Sequence, residues 1–148
     1  MSLTDDREQK ILGIIEKTRA KQGKFRDTQV TMAHGAGGKA TQSMIEGLFL
    51  PAFGGETLAA MGDAGMVGDI AMTTDTFVVK PMVFPGGSIG ELAVNGTVND
   101  VAMAGAKPQA ITVALVLEEG LSAVDLRYQV EAIAKAAREA GVEIVAGD

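Results

Sequence analysis

The sequence predicts an α/β or α+β fold in which helices cover one face of a sheet, and its second half carries the clearest signals. Ser88 and Glu91 form a capping box, which predicts that a helix begins near Ile89. Residues 110–117 are almost entirely apolar and are followed by Glu-Glu-Gly, a pattern that predicts a strand and its end. Helix and strand patterns alternate along the rest of the chain, and such a mixture favours helices packed on a sheet.

The first fifty or so residues are predicted to be mainly helical. From Thr4 an amphipathic helix presents isoleucine and leucine on one side, and it ends near Gly23. Val30 then begins a short extended piece that runs into a glycine-rich loop. A second helix is predicted over residues 40–50 and is expected to stop before Pro51, because proline lacks the N–H that a helix interior needs.

The middle and the end of the chain supply the strands. Residues 58–61 form a short apolar run and residues 69–79 are rich in β-formers, so both segments are predicted to be strands. Further on, Ser122 caps a third long helix that Gly141 ends, and a last strand follows over residues 142–146. Because the sequence stops where that strand has just ended, we expect a longer protein beyond it.

Composition fits one globular domain and narrows the classes of function. The chain has 148 residues, of which 47% are hydrophobic and 22% are charged. No apolar run approaches the roughly 20 residues that a membrane span needs, so no membrane role is expected. Cysteine is absent, which excludes thiolate metal sites in these residues and fits a cytoplasmic location. The net charge is −6, and this acidic balance argues against a nucleic-acid partner.

The predicted helix from Ile89 has an unusual polar face. Asparagine is a mediocre helix former, because its amide competes for backbone hydrogen bonds. Two interpretations stay open: the helix faces a polar ligand, or it is buried and neighbouring backbone satisfies the amides. At 100° per residue, three valines share one side of the helix and three polar residues share another: Val94, Val98 and Val101, against Glu91, Asn95 and Asn99.

A glycine-rich loop, His34-Gly-Ala-Gly-Gly-Lys39, precedes the second helix. Its glycines allow backbone N–H groups to converge on an anion, the following helix N-terminus adds positive potential, and Lys39 supplies a mobile charge. The loop is not a Walker A motif, because Gly35 and Gly38 are too close together and alanine follows the lysine. The alternatives are a phosphate-binding loop and a flexible hinge. His34, the only histidine, is interpreted as a packing residue.

Four aspartates stand beside glycine, threonine or asparagine at predicted strand ends and loops: Asp63, Asp75, Asp100 and Asp148. Carboxylate oxygens of this kind suit Mg²⁺, which commonly bridges a few carboxylates and the phosphates of a substrate. Each aspartate alone is more often an ordinary turn or capping residue. Taken together, with almost no lysine nearby, they make a nucleotide–magnesium site the leading hypothesis.

Several motifs together resemble the HypE family of hydrogenase expression/formation proteins, within the aminoimidazole ribonucleotide synthetase (PurM-like) superfamily. The likeness covers residues 30–148 and implies the ATP-binding N-terminal domain of a two-domain protein. Residues 1–29 lie outside it and are predicted, from their amphipathic pattern, to be a helical extension. The likeness also implies a mixed four-stranded sheet, covered by helices on one face, that pairs into a barrel across a homodimer. Gly65 departs from the alanine that is usual in the family. The motifs occupy residues 34–39, 73–76, 84–90, 95–100, 102–106 and 147–148.

The resemblance also implies roles for individual residues, with ATP and Mg²⁺ as cofactors. Lys39 and Asp75 would be the catalytic residues. The implied nucleotide-binding residues are Gly35, Gly37, Gly38, Lys39, Thr74, Asn95 and Asn99, and the implied metal ligands are Asp63, Asp75, Asp100 and Asp148.

The family's reaction is the ATP-dependent dehydration of a carboxamide carried on the protein's own C-terminal cysteine. Phosphate transfer activates the thiocarbamate oxygen, which leaves, and the resulting thiocyanate supplies the cyanide ligand of the iron in nickel–iron hydrogenase. The implied partners are the carbamoyl-transfer maturation protein and the iron scaffold proteins that accept cyanide. This chain has no cysteine, so we expect it to be inactive alone.

Two other functions remain as alternatives. One is the ATP-binding domain of another superfamily member, such as thiamine monophosphate kinase or selenophosphate synthetase. The other is a dimerisation or docking module without a catalytic role.

Overall fold

The computed structural model describes residues 25–148, which divide between two compact units. The first unit ends at Ala60 and the second covers Met61–Asp148. The predicted helix from Thr4, and nearly all of the predicted extension at 1–29, lie outside the described residues. The boundary between residues 29 and 30 therefore stays a prediction.

The first unit consists of short helical segments. Its glycine-rich loop leads directly into a helix, as the sequence predicts, but the segment before the loop is a 3₁₀ turn where an extended piece is predicted. The elements are the 3₁₀ turn Met32–Gly35, α1 (Lys39–Met44), a π-helical turn (Ile45–Phe49), α2 (Leu50–Phe53) and α3 (Glu56–Ala59).

The second predicted helix does not stop before Pro51 but continues to Phe53. Proline in a helix removes one hydrogen bond and crowds the carbonyl four residues earlier. The wider π-helical turn relieves this crowding, because at its end the N–H of Leu50 bonds the carbonyl of Ile45, five residues back. The prediction was therefore wrong about the end of the helix.

The strand predicted at residues 58–61 is also wrong. Glu56–Ala59 is a helical turn, and Gly54 and Gly55 before it have φ of 67° and 92°, a left-handed backbone that breaks the preceding helix. A short apolar run does not distinguish a strand from a helical segment, because both bury the same residue types.

The second unit contains the two long helices and all six strands of the described chain. Residues 25–148 show three two-stranded sheets, so the single four-stranded sheet that the family resemblance implies is not seen there. The pairs are β1 (Gly65–Val67) with β2 (Ile70–Met72), antiparallel; β3 (Val83–Phe84) with β4 (Gly87–Ser88), antiparallel; and β5 (Ala110–Val113) with β6 (Glu143–Gly147), parallel.

Two predicted strands are shorter than expected. The strand predicted at 69–79 is regular only over Ile70–Met72, because its partner β1 is three residues long. The strand predicted at 110–117 is regular only over Ala110–Val113, where its parallel partner β6 ends. The N–H of Leu115 still bonds the carbonyl of Asp148 at 2.8 Å, so the chain follows its neighbour beyond the ladder.

The two long helices form as the sequence predicts. α4 (Ile89–Met103) begins after Ser88, whose hydroxyl accepts the N–H of Glu91 at 3.4 Å. α5 (Ala123–Ala140) begins after Ser122 and ends at Gly141, which has the left-handed φ of 69° that a helix end favours.

These helices pack against each other and against β5 to form the core of the second unit. Val94 of α4 is 1% exposed, and burying a valine side chain stabilises the fold by about 1.5 kcal/mol or more. The valine face predicted for α4 is therefore confirmed for Val94 and for Val98, which packs against the core. The other core residues are Ile111, Ile133, Ala136, Ala137 and Val142, with Val98 packed against them. None of the helices in residues 25–148 is long and apolar enough to cross a membrane.

Candidate functional site

The glycine-rich loop has the geometry of a helix N-terminus. Gly38 is the N-cap of α1 and Lys39 is its first residue, with an exposed side chain. Gly37 has φ of 74°, a conformation that a residue with a side chain rarely adopts. Its N–H donates to the hydroxyl of Thr41 at 3.0 Å. The loop is therefore held on the first turn of the helix.

His34 is a packing residue, as the sequence suggests, since it is 5% exposed. The N–H of Thr31 donates to Nδ1 at 2.9 Å, which leaves Nε2 to carry the proton and donate to Asp27 Oδ2, also at 2.9 Å. The ring of Phe25 lies edge-on to the imidazole, with centroids 5.6 Å apart. Both ring nitrogens are thus engaged in holding the segment before the glycine loop.

In the second unit, Asp75 and Asp100 are brought together although they are far apart in sequence. Partial burial raises the pKa of Asp75 above its usual 3.8, and so do the negative charge of Asp100 and a hydrogen bond with it. Burial is the larger cause, but because Asp75 is exposed to solvent, the neighbouring carboxylate is the cause that matters for function. Two carboxyl groups in this arrangement attract a proton or a cation.

Thr73 links this acidic pair to the loop before β1, and sequence analysis missed it. Its hydroxyl donates to the carbonyl of Asp63 at 2.8 Å and lies 3.3 Å from Oδ2 of Asp100. A hydroxyl has one hydrogen, so the shorter bond to Asp63 is the principal one. The alternation of Thr73 and Asp75 in Thr-Thr-Asp-Thr was the available signal, since residues two apart in extended chain point the same way.

The remaining predicted site residues are less closely grouped. Among residues 25–148, no three acidic or histidine side chains stand together so as to hold a metal ion. Asp63 offers its carbonyl to Thr73, and the backbone N–H of Asp148 bonds the carbonyl of Val113 at 3.0 Å, just beyond β5. Thr74, Asn95 and Asn99 are exposed. The four-aspartate metal site therefore stays a prediction, with Asp75 and Asp100 as the pair that is adjacent.

A small pocket of about 60 Å³ lies beside Asp75. Its polar lining residues are Asp75, Thr97 and Thr112, and its apolar lining includes Phe77, Val94 and Ile133. The pocket thus lies between Asp75 and the core that α4, β5 and α5 form.

The raised pKa of Asp75 makes stability depend on pH in the metal-free protein. A carboxyl whose pKa is higher in the folded state binds protons more tightly there, so stability falls as pH rises from the usual 3.8 through the raised pKa. We expect Asp75→Asn in EDTA to be more stable relative to the parent near pH 7 than at about pH 4. Urea unfolding at both pH values measures the two differences, and equal differences would contradict the direction of the shift.

Comparison with known families identifies the domain. The family model described as "AIR synthase related protein, N-terminal domain" matches residues 51–148, about two thirds of the chain. The chain belongs to this family. The match includes Asp75, Asp100 and all of the second unit.

Relatives of this AIR synthase related domain carry the name that the motifs suggested, which confirms the resemblance. "Carbamoyl dehydratase HypE" of Bradyrhizobium diazoefficiens is 49% identical over 128 residues, covering 84% of this chain and 37% of that protein. The protein of the same name from Escherichia coli K12 is 43% identical over 128 residues, covering 80% and 38%. The chain therefore spans less than two fifths of the length of these relatives.

Solved structures that share the fold of this chain are also structures of HypE. A "HypE-HypF complex" matches with a TM-score of 0.68 and 55% identity, over 71% of this chain and 35% of that one. A "Hydrogenase Maturation Protein HypE in complex with ATP" matches with a TM-score of 0.54 and 46% identity, over 81% and 37%. The mixed α/β fold of the domain is thus shared with HypE.

Proposed function

We propose that this chain is the ATP-binding N-terminal domain of a HypE-type carbamoyl dehydratase that acts in hydrogenase maturation. The whole protein would dehydrate a carboxamide on its own C-terminal cysteine to a thiocyanate, the source of the iron's cyanide ligand. The main observation in support of the proposal is the adjacent pair of Asp75 and Asp100. A protein with the same fold, HypE, has been solved in complex with ATP. A location in the cytoplasm is part of the same proposal.

The acidic pair fits Mg²⁺ by its chemistry. This ion prefers carboxylate oxygens and is usually held by one or two of them together with substrate phosphates. Asp75 and Asp100 supply that number, and Asp63 and Asp148 are proposed as further ligands. A bound Mg²⁺ would neutralise charge on the transferred phosphoryl group. Thr73 would hold the loop that contains Asp63 next to Asp100.

The glycine-rich loop is proposed to bind the phosphates of ATP. Gly35, Gly37 and Gly38 would present backbone N–H groups, and the exposed ammonium of Lys39 would supply positive charge at the helix N-terminus. We also assign Thr74, Asn95 and Asn99 to the nucleotide, because their side chains are polar and exposed.

A homodimer is proposed because many apolar side chains of the strands are exposed in the single chain. Val67 and Ile70 are 65% and 64% exposed, and Val145 is 56% exposed. Pairing these strands with those of a second copy into a barrel would bury them, which the hydrophobic effect favours. Further partners proposed from the family resemblance are the carbamoyl-transfer maturation protein and the iron scaffold proteins, and a solved HypE-HypF complex supports a maturation protein as a partner.

Calorimetric titration of the full-length protein with ATP and Mg²⁺ tests this function. We expect saturable binding that requires both ATP and Mg²⁺. Absence of binding would instead favour the alternative of a docking module. Thiamine monophosphate or selenide as the phosphoryl acceptor would reveal the other superfamily activities.

Replacing Lys39 by alanine is expected to weaken ATP binding about ten- to a hundredfold, because a hydrogen bond to a charged group contributes about 1.5–3 kcal/mol. The same titration measures the change. Lys80→Ala is the matched control, since Lys80 is 81% exposed and makes only a 3.6 Å ion pair with the equally exposed Glu118. Unchanged affinity in Lys39→Ala would remove this lysine from the phosphate contacts.

A further inference from the structure

Gly96 of α4 lies next to the segment that carries Asp75 and Phe77. A Cβ atom added at Gly96 would lie 2.6 Å from Cζ and 3.1 Å from Cε1 of Phe77. The same atom would lie 3.7 Å from Oδ2 of Asp75. The phenyl ring therefore sits directly on the backbone of Gly96, with the carboxyl of Asp75 beside it.

Phe77 also borders the pocket beside the core. The ring lines the pocket together with Val94, Ile111 and Ile133, three of the buried residues of the second unit. Residues 73–79 have no regular strand partner, so their position depends on such side-chain contacts. Phe77, two residues after Asp75, is thus one of the contacts that place the carboxyl, together with the hydrogen bonds of Thr73, two residues before it.

Gly96 and Asp100 are one helical turn apart and share a face of α4. The contact at Gly96 therefore affects the distance between residues 73–79, which carry Asp75, and the face of α4 that carries Asp100. A side chain at position 96 would push the ring, and with it Asp75, away from Asp100. Metal sites tolerate such displacement poorly, because ligand spacing must match the ion.

We propose that Gly96 is a positioning residue: its missing side chain forms the groove that seats Phe77 and thereby holds Asp75 at the spacing from Asp100 that a divalent cation requires. This inference rests on the proposed function of the acidic pair. It adds two residues, Gly96 and Phe77, whose effect on the cation is exerted through Asp75.

The test measures how much Mg²⁺ the full-length protein needs to bind a non-hydrolysable ATP analogue. Gly96→Ala is expected to raise the Mg²⁺ concentration at half-saturation about tenfold or more, in the range seen when supporting residues of metal ligands are changed. Saturating Mg²⁺ should restore analogue affinity, which a general loss of folding would not allow. Ala102→Ser, which also adds one heavy atom but at an exposed position of α4, is the matched control and should change neither value.

A second substitution separates positioning from misfolding. Phe77→Leu removes the atoms that collide with the new Cβ, so Gly96→Ala combined with Phe77→Leu should need less Mg²⁺ than Gly96→Ala alone. A Gly96→Ala protein with the parent's Mg²⁺ requirement, or a double variant without recovery, overturns the positioning role. If the parent itself binds the analogue with no dependence on Mg²⁺ or Asp75, the proposed function fails first, so the two failures are distinguishable.

Discussion

Asp75→Asn in the full-length protein is expected to abolish ATP turnover while leaving the fold intact. The substitution keeps the shape of the side chain but removes the negative charge that a divalent cation requires. Stabilisation by a bound cation is worth several kcal/mol in a phosphoryl-transfer transition state, so we expect a loss of at least about a hundredfold. Steady-state release of phosphate measures the rate.

The fold should be retained, because in the parent the carboxylate of Asp75 is repelled by that of Asp100. Partial burial and the negative charge of Asp100 both raise the pKa of Asp75, which means that the ionised form is disfavoured in the metal-free protein. Asparagine removes this repulsion, so we expect unfolding in EDTA at neutral pH to require at least as much urea as in the parent. Loss of activity without loss of stability is the signature of a functional rather than a structural carboxylate.

Asp69→Asn is the matched control for this experiment. Asp69 is exposed in the turn between β1 and β2, and the same chemical change there should leave turnover within a factor of about two, since most surface substitutions act within ±0.5 kcal/mol. Normal turnover in Asp75→Asn would reject the assignment of Asp75 to the metal. Equal loss in both variants would show that the effect is not local to the acidic pair.

The helices of the second unit could be predicted from sequence because their ends are encoded locally. Ser88 and Ser122 cap the first turns, and Gly141 adopts the left-handed conformation that ends α5. Strand lengths could not be predicted in this way. β5 ends at Val113 because its partner β6 ends, and β6 lies some thirty residues later in the chain.

The candidate site likewise has one part that the local sequence predicts and one part that it does not. The glycine loop and the helix after it are contiguous in sequence, so their geometry follows from local chemistry. The pairing of Asp75 with Asp100 depends on packing between an irregular segment and α4, which no local pattern encodes. Motif resemblance identified both aspartates, but it gave no role to Thr73, Phe77 or Gly96, whose contributions are contacts rather than chemistry.

Gly90→Ala is expected to destabilise the domain strongly. Gly90 stands in the first turn of α4 and faces α5, where its N–H donates to Oε1 of Gln129 at 3.0 Å. A Cβ at this position would lie 2.6 Å from the main-chain carbonyl oxygen of Gln129 and 3.2 Å from Cβ of Ala132. The two long helices would have to separate, which disturbs the core around Val94.

Two effects of opposite sign compete in this substitution. Alanine is the better helix former by about 1 kcal/mol in a helix interior, and by less in a first turn. Overpacking of a tight contact costs about 1–3 kcal/mol, and the upper end applies because backbone atoms have little room to move. The packing cost should prevail, with a net loss of about 2 kcal/mol in the free energy of unfolding.

Urea unfolding of Gly90→Ala, with Gly62→Ala as the matched control, measures this loss. A Cβ at Gly62 would meet its nearest neighbour, the carbonyl of Ala64, at an ordinary 3.5 Å, so the same change there should cost little. Adding Gln129→Ala to Gly90→Ala should not restore stability, because the closest contact is with the main chain of Gln129 and would remain. A Gly90→Ala protein as stable as the parent would show that α4 and α5 can move apart without cost. Rescue by Gln129→Ala would show instead that the cost comes from the side chain of Gln129, whose Oε1 would lie 3.2 Å from the new Cβ.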